Sequence, residues 1–139
     1  MRWQKDKYLI DDDPSSINLE VVVELLRKSH WAKHRTADTV KRSILNSLCF
    51  GLYNGDSQIG FARVLTDYAT YAIILDMIIA EEFRGKGLGN WLMEVVTNHF
   101  SINNTRQMLW TSTAQGLYEK SGFTQLGGKP VVMAKPPFP

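Results

Sequence analysis

The sequence predicts an α/β protein of the α+β type, with a mostly antiparallel central sheet of about six to seven strands flanked by about four helices. Three observations carry that expectation. The runs Cys49–Tyr53, Gln58–Leu65 and Tyr71–Ile79 are strand-like and joined by short links, which reads as an antiparallel meander. Segments with apolar residues at helical spacing precede and follow that meander. A glycine-rich turn, Glu82–Trp91, joins the last strand of the meander to an amphipathic helix. The 139 residues fit one domain, spanning 1–139, with one core.

In chain order, a short strand around Tyr8–Ile10 runs into the acidic turn Asp11-Asp12-Asp13-Pro14, where the proline disfavours helix at the residue before it. That turn is expected to be exposed. Ser15 or Ser16 then caps a helix through about Ser29, with Leu19, Val22, Val23 and Leu26 on its apolar face. A second helix, Thr36–Asn46, carries Val40, Ile44 and Leu45. Between the two lies a polar and aromatic connection, His30-Trp31-Ala32-Lys33-His34-Arg35. Asn54-Gly55-Asp56 makes the first turn of the meander and Asp67–Thr70 the second. The strand Tyr71–Ile79 is apolar on both faces except at Asp76, as in a strand covered on both sides, and is expected to be central. A helix to about Phe100 follows, with Leu88, Trp91, Leu92, Val95 and Val96 on its buried stripe. A strand, Met108–Thr111, leads to a helix, Thr113–Ser121, with Gly122 as its left-handed cap. Strands at Phe123–Leu126 and Val131–Ala134 complete the prediction, and Pro136, Pro137 and Pro139 oppose regular structure beyond them.

Composition excludes several classes. A hydrophobic fraction of 44% with 22% charged residues is that of a globular chain rather than a disordered one. A formal charge of +2 is too small to mark a nucleic-acid partner. Cys49 is the single cysteine, so an internal disulfide and a four-cysteine zinc site are both excluded, and a reducing compartment fits. Neither a basic leader nor an apolar run of membrane-spanning length is present, so the expectation is a cytoplasmic protein with no membrane partner.

The turn Glu82-Phe83-Arg84-Gly85-Lys86-Gly87-Leu88-Gly89-Asn90-Trp91 carries the chemistry. Unpaired N–H groups and the dipole at a helix start attract an anion, glycines let it approach the backbone, and Arg84 and Lys86 add full charges. That combination suits a pyrophosphate. The P-loop pattern Gly-x-x-x-x-Gly-Lys-Ser/Thr is absent. The dinucleotide pattern Gly-x-Gly-x-x-Gly fails from Gly85, where the last place is Asn90, and from Gly87, where it is Leu92. What does match is Arg-x-x-Gly-x-Gly, as Arg84, Gly87 and Gly89. Downstream, Ala114-Gln115-Gly116-Leu117-Tyr118-Glu119-Lys120-Ser121-Gly122-Phe123 matches Ala-x-x-Leu-Tyr-Glu-Lys-x-Gly-Phe. These two motifs, in this order and separated by one helix and one strand, resemble the GNAT superfamily of N-acetyltransferases. The resemblance covers nearly the whole chain and implies a GNAT-like fold with a mixed sheet.

The resemblance implies acetyl-CoA as co-substrate, with no metal. It implies that the strand ending at Ile79 and the strand ending at Thr111 diverge. Backbone groups of Met77, Ile78 and Ile79 would then pair with the pantetheine arm, and one N–H would stabilise the developing oxyanion. Arg84, Gly85, Lys86, Gly87, Leu88 and Gly89 would hold the pyrophosphate, with Thr111, Ala114 and Tyr118 completing the coenzyme contacts. Many relatives carry Asn where this chain has Thr111, and threonine lacks the two-ended reach of an amide. Tyr118 stands at the family's general-acid position. A thiol ionises near pH 8.5 and a tyrosine near 10, so full proton transfer to the thiolate is uphill by roughly 2 kcal/mol, and a hydrogen bond would do much of the stabilising. For the base that deprotonates the amine, Asp76 is a candidate as the only charge in an apolar strand, with His30, His34 or a water chain as alternatives. Trp31 and Arg35 are candidates for the acceptor pocket, one as an apolar or cation–π wall and the other to hold a carboxylate. The expected partner is a small-molecule or peptide amine, and relatives suggest a homodimer. The competing reading is a CoA-binding or acyl-CoA sensor module without turnover.

Overall fold

The protein is described from a computed structural model, which covers residues 1–128 and 130–135. The predicted influence of Pro136, Pro137 and Pro139 lies outside the described residues. Among the described residues, six strands form one sheet in sequence order: β1 (Arg2–Lys5), β2 (Tyr8–Asp11), β3 (Leu48–Asn54), β4 (Ser57–Thr66), β5 (Tyr71–Ile79) and β6 (Arg106–Met108). All neighbours are antiparallel except β5 and β6, which run parallel, so the sheet is mixed. Four helices complete the α+β fold: α1 (Leu19–Arg27), α2 (Ala37–Leu45), α3 (Leu88–Thr97) and α4 (Gln115–Glu119).

Local chemistry sets these boundaries. Asn18, not a serine, caps α1 by accepting the Val21 N–H at 3.2 Å. The segment Pro14–Ser16 instead forms a 3₁₀ turn capped by Asp13. Thr36, read from the sequence as the first residue of the helix, is instead the cap of α2, accepting the Thr39 N–H. Gly122, at φ 89°, closes the turn after α4. Sequence pattern places the first strand at Tyr8 and does not reveal β1, whose residues are exposed except Trp3 and therefore lack a clear hydrophobic alternation.

Two hydrophobic layers cover the sheet. Phe50, Leu52, Val64 and Ile74 pack against Leu92 and Val96 of α3 on one face, while Cys49, Phe61 and Ile78 pack against Val22, Leu26 and Val40 of α1 and α2 on the other. The longest buried run is in β4, where Gln58–Val64 are all buried. The expectation that Tyr71–Ile79 would be central is therefore corrected. It is covered on both faces, but β6 pairs only with Tyr71–Ile73, and no other described strand pairs with its remaining edge.

The two terminal strands predicted at Phe123–Leu126 and Val131–Ala134 do not form. Short apolar runs need a neighbouring ladder to become strands. No described strand pairs with these runs. The Phe123 N–H instead bonds the Tyr118 carbonyl at 3.2 Å. The acidic turn is also corrected, because its carboxylates are not free. Asp11 is buried and accepts from Arg2 Nε and the Asp13 N–H, both at 2.9 Å. Asp12 accepts from the N-terminal amine and pairs with buried His99 at 2.8 Å. Burial by itself would raise the Asp12 carboxyl, but those two hydrogen bonds outweigh it and hold the group below its usual range.

Candidate active site

The glycine-rich turn begins where β5 ends. After a 3₁₀ turn over Glu81–Phe83 the chain passes through Gly85 at φ 77° and Gly87 at φ 78°. Gly87 is the N-cap of α3, and a side chain there would be strained in the left-handed region. No side chain caps this helix. The first intrahelical bond runs from the Trp91 N–H to the Gly87 carbonyl at 3.1 Å, so the N–H groups of Leu88, Gly89 and Asn90 have no partner among the described residues. A Cβ at Gly85 or Gly87 would meet nothing within 4 Å, which describes an open cradle in front of those donors. Arg84 and Lys86 are exposed beside it, and Arg84 Nε donates to the Ile79 carbonyl at 2.9 Å. Ile79, Arg84, Gly87, Gly89 and Leu117 line a cavity of about 240 Å³ here. These residues fit a pyrophosphate. Leu88 contributes only its backbone, since its side chain is buried in the core.

The open edge of β5 borders this turn. The Ala80 N–H bonds the Ile59 carbonyl at 2.7 Å, and Ile78 lies opposite Phe61. By alternation, the backbone groups of Ile78 point toward β4 and those of Ile79 and Met77 point away from it. The expected role of Ile78 in pairing along the open edge is thereby corrected, because its N–H and C=O face the other side.

Tyr118 lies on α4 and packs edge-on against Phe123 at a centroid distance of 6.4 Å. It lines a larger cavity of about 1080 Å³ together with Asn90, Met108, Thr111 and Phe123. Burial raises its phenol above the usual value, so it stays protonated through neutral pH. The hydroxyl has no hydrogen-bond partner among the described residues and is not sealed from solvent. The larger acidity gap to a thiol favours donation of a hydrogen bond over complete transfer of the proton. Thr111 has an internal role, accepting the Ala114 N–H at 3.0 Å ahead of α4.

Asp76, Arg35 and Trp31, proposed separately from the sequence, come together. Asp76 is buried at a bulge in β5, with φ 52°, where Asp76 and Met77 stand opposite the single residue Ala62. Its carboxylate accepts from Arg35 Nη1 at 2.8 Å to both oxygens, from Arg63 Nε at 2.8 Å and from Trp31 Nε1 at 3.2 Å. Arg63 also reaches Ser47 Oγ at 3.2 Å. This geometry corrects the assignment of Asp76 as a base, because a carboxylate that accepts from two guanidinium groups and an indole acts as an anchor. Arg63 and Ser47 escaped the sequence reading. The available signal was a charge, Arg63, inside the apolar run Gln58–Leu65, facing a second charge in the next strand.

His30 and His34 are exposed, and the His30 ring lies edge-on to Trp31 at 5.1 Å. Cys49 is buried beside this cluster. Burial raises its thiol to about 12, which keeps it protonated and a poor nucleophile at neutral pH.

The fold and site define an α+β protein whose mixed sheet runs, at the end of β5, into a glycine cradle at a helix start. Comparison with known proteins gives the family. Residues 46–125 match the model of the acetyltransferase (GNAT) domain. A crystal structure of a GNAT-family protein from Xanthomonas campestris pv. campestris, named as a candidate acetyltransferase, is 33% identical. The alignment covers 97% of this chain and 96% of that one, with a TM-score of 0.89. A Gibberella zeae protein, also named as a candidate acetyltransferase, is 26% identical over 86% of this chain and 80% of its own length. A GNAT-family acetyltransferase from Elizabethkingia anophelis, solved with acetyl-CoA bound, shares the fold at 18% identity with a TM-score of 0.67, over 86% of this chain and 78% of that one. The chain belongs to the GNAT acetyltransferase family.

Proposed function

We propose that the protein is an acetyl-CoA-dependent N-acetyltransferase acting by direct attack of a small-molecule or peptide amine. The observation that carries this is the uncapped start of α3, entered through two left-handed glycines beside the open edge of β5. The acetyl-CoA in the Elizabethkingia anophelis structure supports the choice of donor. Acetyl-CoA would supply an acyl thioester. Leu88, Gly89 and Asn90 would offer backbone N–H groups to its pyrophosphate, with Arg84 and Lys86 adding charge. Met77 and Ile79 would align the pantetheine arm along the strand edge.

In the transfer, the amine nitrogen bonds to the acyl carbon as the carbon–sulfur bond breaks. The thiolate leaves with the electron pair, Tyr118 stabilises it by a hydrogen bond, and the amine loses one proton. With Asp76 committed to arginines, that proton goes to water or to His30 or His34. A binding module without turnover would have no use for the free Tyr118 hydroxyl.

The test follows thiol release from acetyl-CoA across amines, amino acids, polyamines and a peptide, alongside binding of acetyl-CoA by calorimetry. Release that depends on an amine supports the proposal. Absence of acetyl-CoA binding would overturn it.

A further inference from the structure

We propose that the acceptor amine carries a carboxylate, and that the free Nε/Nη2 edge of Arg35, together with Nη2 of Arg63, binds it. This rests on the acetyltransferase reading and specifies its acceptor.

The inference starts from charge. Arg35 and Arg63 side chains are only 13% and 10% exposed, and Asp76 is 1% exposed. Two guanidinium groups therefore share one carboxylate, leaving one positive charge in excess at a nearly buried site. Such an excess is costly unless an anion accompanies it. The connection between α1 and α2 supplies none, because the stretch between Glu24 and Asp38 holds Arg27, Lys28, Lys33 and Arg35 and no acid.

The unused donors point the same way. Asp76 and Ser47 take up Arg35 Nη1 and Arg63 Nε and Nη1. Arg35 Nε and Nη2 and Arg63 Nη2 have no acceptor among the described residues. Every fully buried side-chain nitrogen and oxygen described has a partner, so these three nitrogens reach solvent-accessible space. Arg35, held through Nη1, keeps a two-donor Nε/Nη2 edge that suits a planar anion, and Arg63, held through Nε and Nη1, adds a single free Nη2. A carboxylate matches the single excess charge better than a phosphate dianion does.

Position makes the site useful. Asp76 immediately precedes Met77 on the strand whose open edge is proposed to hold the donor. Its side chain joins the α1–α2 side of the sheet, while Met77 and Ile79 pack with the α3 layer. An acceptor anchored at Arg35 and Arg63 would thus approach the strand from the face opposite α3, with the half-exposed Trp31 indole as a wall.

The experiment has two arms. In the first, thiol release from acetyl-CoA is measured for pairs of amino acids and their carboxamides, with calorimetric binding of acetyl-CoA run in parallel. The acid of the preferred pair should be used at least tenfold more efficiently than its amide. Arg35→Met should abolish that preference while leaving the KM for acetyl-CoA unchanged, and Arg35→Lys, which keeps the charge, should restore part of it. In the second arm, N-acetyl amino acids and their amides are titrated against the ¹⁵N-labelled protein. The acids alone should shift the arginine Nε–H resonances assigned to Arg35 and Arg63.

Failure to bind acetyl-CoA would remove the enzyme reading itself. Binding and release that do not distinguish acids from amides would overturn the carboxylate assignment alone. Arginine resonances unmoved by the acids would also overturn it, whether or not release is seen.

Discussion

Replacing Asp76 by Asn tests the buried charge cluster most directly. Asparagine keeps the size of the side chain and tolerates a left-handed backbone, so φ 52° adds little strain. What changes is the charge. Arg35 and Arg63 lose their shared carboxylate at a site where they are 13% and 10% exposed, too little for water to replace it fully. Removing one member of a buried ion pair costs about 3–5 kcal/mol, and the partial exposure of the arginines places the expected value near 3 kcal/mol. For a chain of this length, that corresponds to a fall in Tm of roughly 10 °C. Asp76→Ala should cost about 1 kcal/mol more, because alanine also meets the left-handed backbone penalty. In the double variant Asp76→Asn with Arg35→Met, removal of one orphaned cation should recover about 1–2 kcal/mol. Urea unfolding of the parent, Asp76→Asn, Arg35→Met and the double variant, followed by circular dichroism, gives the cycle. An Asn variant within about 0.5 kcal/mol of the parent would refute the reasoning, since it would mean that solvent already screens both guanidinium groups.

Three further outcomes are expected. Tyr118→Phe should lower kcat about 100-fold with Tm nearly unchanged, because its hydroxyl bonds nothing in the described protein; a comparable loss of stability, seen by thermal melting, would point to a packing role instead. Gly89→Ala should raise helix stability by about 0.5 kcal/mol, since the new Cβ meets only the Met77 methyl at 3.8 Å. The same change should weaken acetyl-CoA binding by calorimetry, whereas Gly87→Ala should lose both about 1 kcal/mol of stability and donor affinity. Cys49 should resist alkylation at pH 8 in the folded protein and react on unfolding, as mass spectrometry would report. Because burial raises its thiol from 9.0 to about 12, the linked stability is complete below pH 9 and is lost progressively as pH rises toward 12; a denaturation midpoint that stays flat across that range would contradict the linkage.

Much of the fold was legible because periodicity reports burial. The meander was placed within two residues at each end, and β5 was bounded correctly at Tyr71 and Ile79. The same signal misled where burial and pairing separate. Tyr71–Ile79 is apolar on both faces because helices cover both, and face coverage says nothing about which edges are paired. Val131–Ala134 looks like a strand by composition, yet strand formation requires a partner edge that composition does not encode. In the site, the glycine turn was legible since its function depends on backbone and on contiguous residues. The Asp76 cluster was not, because Trp31, Arg35, Arg63 and Asp76 come from three separated segments. Each was visible as an oddity, but their meeting depends on tertiary placement.

The bulge at Asp76 has a mechanical consequence. Ahead of it, Ala72 and Ile74 face α3; beyond it, Ile78 faces α1 and α2 while Met77 and Ile79 take the α3 side. One extra residue inverts the strand's parity halfway along. Deleting a single residue here would rotate everything downstream onto the wrong layer, Arg84 and the glycine turn included. Keeping it lets one continuous strand brace the proposed donor and acceptor sites on opposite faces of the sheet. Changes in the loop between α1 and α2 can then reshape one of them while leaving the other's geometry untouched.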